Sequence, residues 1–263
     1  SLTLLNKILR YIGVYKIYEK YLRSQIENEE CPKHIGLILD GNRRWAENHS
    51  YPKYVGHKIG AEIAEKLLEW CQDLKIKTLT LYVLSTENLN REEEELNELY
   101  KIIEEKLQKL INDERIHKYK IRVKTLGKKE LLPERIRKIL NEIEKRTENY
   151  SDYFLNIAIA YGGRLEILEV VKSIAEKVKR GEIDPNQITQ KTIEENLYTA
   201  HLPNPEPDLI IRTSGEERLS GFLLWQSAYS ELVFLDVFWP DFRKIDLMRA
   251  IRTYQKRVRR FGK

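Results

Sequence analysis

The sequence has little cysteine: Cys31 and Cys71 are the only two in 263 residues, far apart and without C-x-x-C spacing. A disulfide framework and a cysteine-based zinc site are therefore not expected, which fits a reducing, cytoplasmic setting. There is no apolar run of about 18 residues, so no segment is expected to span a bilayer. The N-terminus lacks the continuous apolar core and small-residue cleavage site of a secretory signal. Glycine and proline number only 12 and 8, too few for a linker-rich chain. Neither G-x-x-x-x-G-K-[ST] nor G-x-G-x-x-G occurs, so no P-loop or dinucleotide fingerprint is present. Charge of one sign is lacking too. The 46 cations exceed 41 anions by only 5, too even a balance for a nucleic-acid binder. The basic residues are better suited to local sites for phosphate groups.

What is there is a core-forming pattern. Hydrophobic residues make up 41% of the chain. Near-continuous apolar runs occur at 34–39, 78–84, 120–126, 153–160, 208–212 and 231–237, as expected of strands buried on both faces. Helical patterns near 57–73, 91–114, 131–149, 163–180, 189–197 and 242–260 alternate with them. That alternation predicts an α/β fold, a single domain whose central, mostly parallel sheet of six strands is flanked by helices. Residues 1–30 read as an N-terminal amphipathic helical segment and 31–263 as the catalytic domain. Leu4, Leu5, Ile8, Ile12, Tyr15 and Tyr18 could share one helical face. That face either packs on the protein body or lies in a membrane interface.

Ligands of open α/β sheets bind beyond the carboxyl ends of the strands, so those positions carry the functional reading. After the first strand comes Asp40-Gly41-Asn42-Arg43-Arg44-Trp45. A carboxylate beside cationic and backbone donors suits Mg²⁺ bridged to phosphate oxygens; a plain helix cap is the alternative. After the second comes Ser85-Thr86-Glu87-Asn88-Leu89-Asn90-Arg91, either a substrate-facing cluster or a turn that caps the next helix. After the fifth, Arg212 and Arg218 bracket a Ser-Gly turn that ends in Leu219-Ser220-Gly221. Arginine forks suit phosphate, though surface ion pairs with Glu216 and Glu217 are the alternative. His57 follows Gly56 at a helix start.

With these residues in place, the sequence resembles the cis-prenyltransferases, the family of undecaprenyl and dehydrodolichyl diphosphate synthases. The resemblance runs through HIGLILDGNRRWAENHSYPKYVGHKIGAE (34–62), LTLYVLSTENLNR (79–91), NIAIAYGGRLEI (156–167) and 208–242. No D-D-x-x-D repeat points to a trans-type synthase. The resemblance implies repeated condensation of isopentenyl diphosphate onto an allylic diphosphate, geranylgeranyl or farnesyl diphosphate. The Z-polyprenyl product would grow in an apolar tunnel and serve as a lipid carrier precursor for glycan assembly.

It also implies roles for individual residues. Asp40 would hold Mg²⁺ and act on diphosphate, with Glu231 as a second metal position. Gly41, Asn42, Arg43 and Arg44 match the loop around the allylic diphosphate. Trp45, His57, Ser85, Thr86, Glu87 and Arg91 match substrate contacts. Arg212, Arg218, Leu219 and Ser220 match the isopentenyl diphosphate site. Asn88 matches a position assigned as proton acceptor, a poor fit for a neutral amide, which is a very weak base. Arg260 and Gly262 match an R-x-G ending that reaches across a homodimer. Lys53 stands where many bacterial members carry Arg, and Leu89 where many carry Trp. The long segment before residue 34 is similar to archaeal or eukaryotic members. A peripheral membrane contact through that segment is a further expectation, as is the absence of a nucleic-acid partner. The competing reading is a non-catalytic subunit, but such subunits lose the Asp-Gly-Asn and arginine clusters present here.

Overall fold

The computed structural model describes residues 2–262, with side chains described for Ile8 and for 11–258. Six strands form one sheet: β1 (His34–Ile38), β2 (Thr78–Ser85), β3 (Ile121–Leu126), β4 (Tyr153–Tyr161), β5 (Leu209–Arg212) and β6 (Glu231–Phe234). Their order is β3-β4-β2-β1-β5-β6, and every neighbouring pair is parallel. Each expected strand is present. The last is shorter than expected, ending at Phe234 rather than 237.

The strands alternate, and the alternation separates two faces. On one face Ile35, Leu37, Leu79, Leu81, Leu155 and Ile157 join a large core with residues of the surrounding helices. On the other, Ile38, Tyr82 and Ala158 pack with Phe222 and Leu223. His34, Thr80 and Asn156, which occupy the same alternating positions, are fully buried. A continuous run of apolar and small polar residues is what burial on both sides requires.

The helices are α1 (Leu2–Ile26), α2 (Asn42–Asn48), α3 (Lys53–Asp73), α4 (Glu93–Ile111), α5 (Glu114–Lys118), α6 (Glu134–Thr147), α7 (Gly163–Lys179), α8 (Gln190–Glu194) and α9 (Lys244–Gly262). The expected helix 91–114 is divided. α4 ends at Ile111, and the Asp113 side chain accepts the Arg115 N–H at 2.9 Å to start α5. A capping aspartate starts the second helix.

Helix α1 lies against α9. Leu22 and Ile26 are buried, Lys244 pairs with Glu19 at 2.9 Å, and Gln255 donates to the Ile26 carbonyl at 3.1 Å. Tyr15 and Tyr18 pack against the core, whereas Ile8 and Ile12 are exposed, as are Tyr11, Val14 and Ile17. The single face read from the sequence is thus divided along the helix; Leu4 and Leu5 belong to α1, and their side chains are outside those described.

Candidate active site

The site begins where β1 stops. Asp40 follows the strand, and Gly41 turns the backbone at φ +113° with Phe238 so near that a Cβ would sit 2.7 Å from its ring. Only glycine meets both demands. Asn42 then opens α2, and no side chain caps that helix, so the plain-cap alternative does not describe this turn. Helix α3 approaches Asn42 closely. A Cβ at Gly56 would lie 2.1 Å from the Asn42 carbonyl oxygen, and one at Gly60 2.4 Å from its Oδ1.

The Asp40 carboxylate is held from the β5 side. Its Oδ2 accepts from Arg212 Nη2 at 3.0 Å and from Ser214 Oγ at 2.7 Å. Arg44 donates to Ser214 Oγ at 2.7 Å and stands 3.6 Å from Asp40. Both Asp40 bonds fall on Oδ2, and Oδ1 has no hydrogen-bond partner among the described residues. Arg212 is 6% exposed. Its Nη1 donates to the Arg218 carbonyl at 2.6 Å and to Ser220 Oγ at 2.7 Å, while its Nε is buried without a partner. The surface-ion-pair alternative therefore fails for Arg212. It holds for Arg218, whose exposed side chain pairs with Glu216. This loop keeps Ser214, Ser220 and Leu223 at positive φ, 76°, 48° and 43°. Strain of that kind persists where surrounding contacts over-determine it and clusters at functional sites.

A second carboxylate lies across the mouth. Glu95, in the first turn of α4, is 9% exposed and meets four cationic or ring nitrogens. His57 Nε2 and Arg91 Nη1 are each 3.1 Å away, Arg43 Nε is 3.4 Å away and Lys53 Nζ 3.8 Å. Burial would raise the Glu95 carboxyl, but His57, Arg91 and Arg43 outweigh it and hold it below the usual carboxylate range. Burial lowers the His57 imidazole, which the neighbouring arginines reinforce against the pull of Glu95. The carboxylate oxygen beside Nε2 accepts, so Nε2 carries the proton. Glu95 is not among the site residues expected from the sequence, because it stands at the end of the acidic run 92–95 near a helix start. The available signal was a charge at 95 on the stripe that continues with Leu99, Ile103 and Leu110.

The β2 turn closes on itself. Asn88 Oδ1 accepts the Ser85 N–H at 3.0 Å, and Ser85 Oγ accepts the Asn88 N–H at 3.1 Å. The Asn88 amide oxygen is thus already engaged by a backbone donor. Ser85, Glu87, Asn88 and Arg91 nevertheless line the same cavity as Asp40, Arg43 and Arg212. That cavity measures about 720 Å³, in the range of small-molecule sites. From its polar mouth it runs between α3 and α4 over Leu81, Leu155 and Ile157 of the sheet. Its apolar stretch is compatible with the tunnel expected from the sequence.

Several expected site residues sit elsewhere. Trp45 is buried, stacked on His49 at 4.2 Å, and donates its indole N–H to Asp241 at 2.9 Å. Leu89 packs against the core, Leu219 against Tyr82 and its neighbours, and Thr86 donates its N–H to the Tyr161 carbonyl. Glu231 opens β6, with its N–H on the Asp208 carbonyl and Arg257 at 3.5 Å. Asp40 follows the carboxyl end of β1, so one chain does not bring these two acids together. The side chains of Arg260 and Gly262 lie outside the described residues.

Residues 38–262 match the family described as "Putative undecaprenyl diphosphate synthase". The chain belongs to that family. It is accordingly a cis-prenyltransferase, one that keeps the Asp40 and arginine clusters a supporting subunit would lack. Curated relatives cover nearly the whole chain. A tritrans,polycis-undecaprenyl-diphosphate synthase (geranylgeranyl-diphosphate specific) from Methanocaldococcus jannaschii is 53% identical over 95% of this chain and 90% of its own length. A protein of the same name from Thermococcus kodakarensis is 50% identical over 95% and 94%. Among solved structures, lavandulyl diphosphate synthase from Lavandula x intermedia, in complex with dimethylallyl diphosphate, superimposes with a TM-score of 0.81. It is 33% identical, over 86% of this chain and 95% of its own. A probable undecaprenyl diphosphate synthase from Campylobacter jejuni gives a TM-score of 0.70 at 29% identity, over 89% and 100%.

Among the described residues no group of three or more His, Cys, Asp or Glu side chains forms a metal cage. That is compatible with Mg²⁺, which commonly takes one or two carboxylates and completes its shell with water and substrate phosphates. The unpartnered Oδ1 of Asp40 fits such a shared site. No helix among the described residues is long and apolar enough to cross a membrane.

Proposed function

We propose that this prenyltransferase primes on geranylgeranyl diphosphate and extends it with isopentenyl diphosphate to an undecaprenyl-class Z-polyprenyl diphosphate, a carrier precursor for glycan assembly. The observation that carries this reading is one cavity with a cationic mouth and an apolar middle, which suits a molecule that is diphosphate at one end and hydrocarbon along its length. The names of the archaeal relatives favour the geranylgeranyl primer over farnesyl diphosphate.

In this reading the allylic diphosphate rests on Arg43, Arg44 and the Asn42 turn, while Arg212 and Ser220, with Arg218, take isopentenyl diphosphate. The bond between C1 and the diphosphate oxygen breaks as the terminal alkene carbon of isopentenyl diphosphate bonds to C1. A C2 proton then leaves to give the Z double bond. Asp40 Oδ1 would hold Mg²⁺, which neutralises charge on the departing diphosphate when bound. The arginines stabilise the same charge from fixed positions. Asn88 orients the Ser85 turn rather than taking the proton, because its amide oxygen is occupied; a diphosphate oxygen is the better acceptor.

Two further expectations belong to this reading. The enzyme works as a homodimer, with Arg260 and Gly262 reaching the neighbouring mouth and Glu231 contributing there. The exposed Tyr11, Val14 and Ile17 of α1, among Lys16 and Lys20, form a peripheral membrane contact.

The test is incorporation of labelled isopentenyl diphosphate into butanol-extractable lipid, with geranylgeranyl or farnesyl diphosphate and with or without Mg²⁺. Polyprenyl product that needs Mg²⁺ and is formed fastest from geranylgeranyl diphosphate is the expected result. Folded protein that makes no lipid from either primer would sink the reading.

A further inference from the structure

The far end of the cavity is built differently from its middle. Along the bore α3 contributes Ala61 and Ala64, and α4 contributes Leu99 and Ile103; Leu68, Leu107 and Leu110 follow a turn further on, beside the charged groups. The aromatic residues among the described lining, Tyr82 and Trp239, both belong to the mouth. Tyr82 donates to the Ser220 carbonyl, and Trp239 to the Gly60 carbonyl. No aromatic plug therefore stands at the far end among the described residues.

Charges stand there instead. Glu65 of α3 meets Lys106 Nζ at 2.5 Å and Lys109 Nζ at 2.7 Å, both from α4. Just beyond, Arg115 of α5 joins Asp113 at 2.6 Å and reaches back to Glu69 of α3 at 2.8 Å. Glu65, Lys106, Lys109, Asp113 and Arg115 all line the cavity. The Glu65 and Lys106 side chains are 32% and 24% exposed and Lys109 is 65% exposed, so only the Glu65–Lys106 pairing is partly screened from water.

We propose that the Glu65–Lys106–Lys109 bridge between α3 and α4 is the length stop of this enzyme. The inference rests on the reading of the cavity as the channel for the growing chain. A hydrocarbon tail advances at little cost while its walls are apolar, because each new unit leaves water. On reaching the bridge it must either part the ion pair or lie against it and strip its water. Separating partly buried partners leaves each charge uncompensated. The bridge also fastens α3 to α4 at the point where the bore would have to widen. Elongation therefore slows at the tail length that touches Glu65 and Lys106, and release competes.

The experiment reads product length by reversed-phase chromatography of the lipid formed from labelled isopentenyl diphosphate and geranylgeranyl diphosphate. Length is compared among the chains actually made, so it does not depend on rate. The full chain is compared with Glu65→Ala/Lys106→Ala and with the exchanged pair Glu65→Lys/Lys106→Glu, each checked for an unchanged unfolding midpoint. The alanine pair is expected to shift the distribution to longer chains by whole isoprene units, and the exchanged pair to restore the original length. An alanine pair that folds and gives the original length overturns the inference and leaves the prenyltransferase reading standing. A parent enzyme that makes no lipid removes that reading, and this inference with it.

Discussion

On one face of the sheet, His34, Thr80, Asn156 and His201 make a chain of polar side chains in which each has a partner. His34 Nδ1 meets the Asn204 carbonyl at 2.8 Å and its Nε2 meets Thr80 Oγ1 at 2.7 Å. Asn156 donates to Thr80 Oγ1 at 3.0 Å and faces His201 at 3.1 Å. At the carboxyl ends of the same strands polar atoms are as well buried, yet Asn42 Oδ1 and Arg212 Nε have no hydrogen-bond partner. Buried polar atoms are nearly always paired, and an orphan costs stability. The paired chain is therefore a structural device. In the proposed function Asn42 and Arg212, which line the cavity, are groups that a ligand would complete; Thr78, Thr125 and Gln226 carry orphaned atoms away from it. In that reading the two clusters differ in two respects together: whether their hydrogen bonds are already made and whether they line the cavity.

Substitutions that treat the two clusters alike will test that distinction. Asp40→Ala removes the carboxylate that positions Arg212 and Ser214. Steady-state isopentenyl diphosphate incorporation should fall by at least about 100-fold, while the unfolding midpoint in denaturant moves little. A collapse of stability with activity per folded molecule intact would reverse the assignment.

The partnered chain should answer to pH instead. Burial pushes the His34 imidazole down to about 4 from its ordinary 6.5, so the folded state refuses a proton that the unfolded chain accepts. Its contribution is fully present above about pH 6.5 and is lost progressively as pH falls towards 4, by about 3 kcal/mol in all. His201, also pushed down to about 4 by burial and by Lys124 and Arg122, acts in the same direction. Urea unfolding between pH 7.5 and 4.5 measures the slope, which should flatten in His34→Asn. A slope unchanged by that substitution would show that other groups govern acid sensitivity.

Glu95 tests the boundary between the two kinds of cluster, because it is both well paired and at the mouth. Glu95→Gln keeps the shape but removes the charge that gathers Arg43, Lys53 and Arg91. A displacement of those cations should lower kcat/KM for the allylic diphosphate by about ten-fold, with the larger part in KM. An effect on stability alone would move Glu95 to the structural class.

What the sequence disclosed follows this same division. All six strands were legible because a strand buried on both faces leaves a nearly continuous apolar run, and Asp40, Arg43 and Arg212 were legible because they follow such runs. Glu95 was not. Its acidic neighbours at 92–94 masked it, and its position on the Leu99–Ile103 stripe has meaning only once α3 faces α4. Ser214 was visible only as part of a turn. Its bridge from Arg44, 170 positions away, to Asp40 depends on pairing β1 with β5. The division of helix 91–114 went unread because Asp113 carries no local mark that separates a cap from an ordinary surface acid.

The smallest expected effect separates two arginines of one loop. Arg212 is buried, and its fork is fixed by Asp40, Ser220 and the Arg218 carbonyl. Arg218 keeps its side chain 66% exposed against Glu216, and its structural bond to Arg212 is made by its backbone. Arg218→Ala therefore leaves that bond in place and removes only a surface ion pair, so stability should stay within about 0.5 kcal/mol of the parent. If the side chain swings to isopentenyl diphosphate when that substrate arrives, KM for isopentenyl diphosphate rises a few-fold while KM for the allylic partner does not move. Steady-state titration of each substrate at saturating levels of the other distinguishes the cases. Equal changes in both KM values would mean that the loop as a whole had shifted. No change in either would leave Arg212 and Ser220 as the groups that hold the second diphosphate.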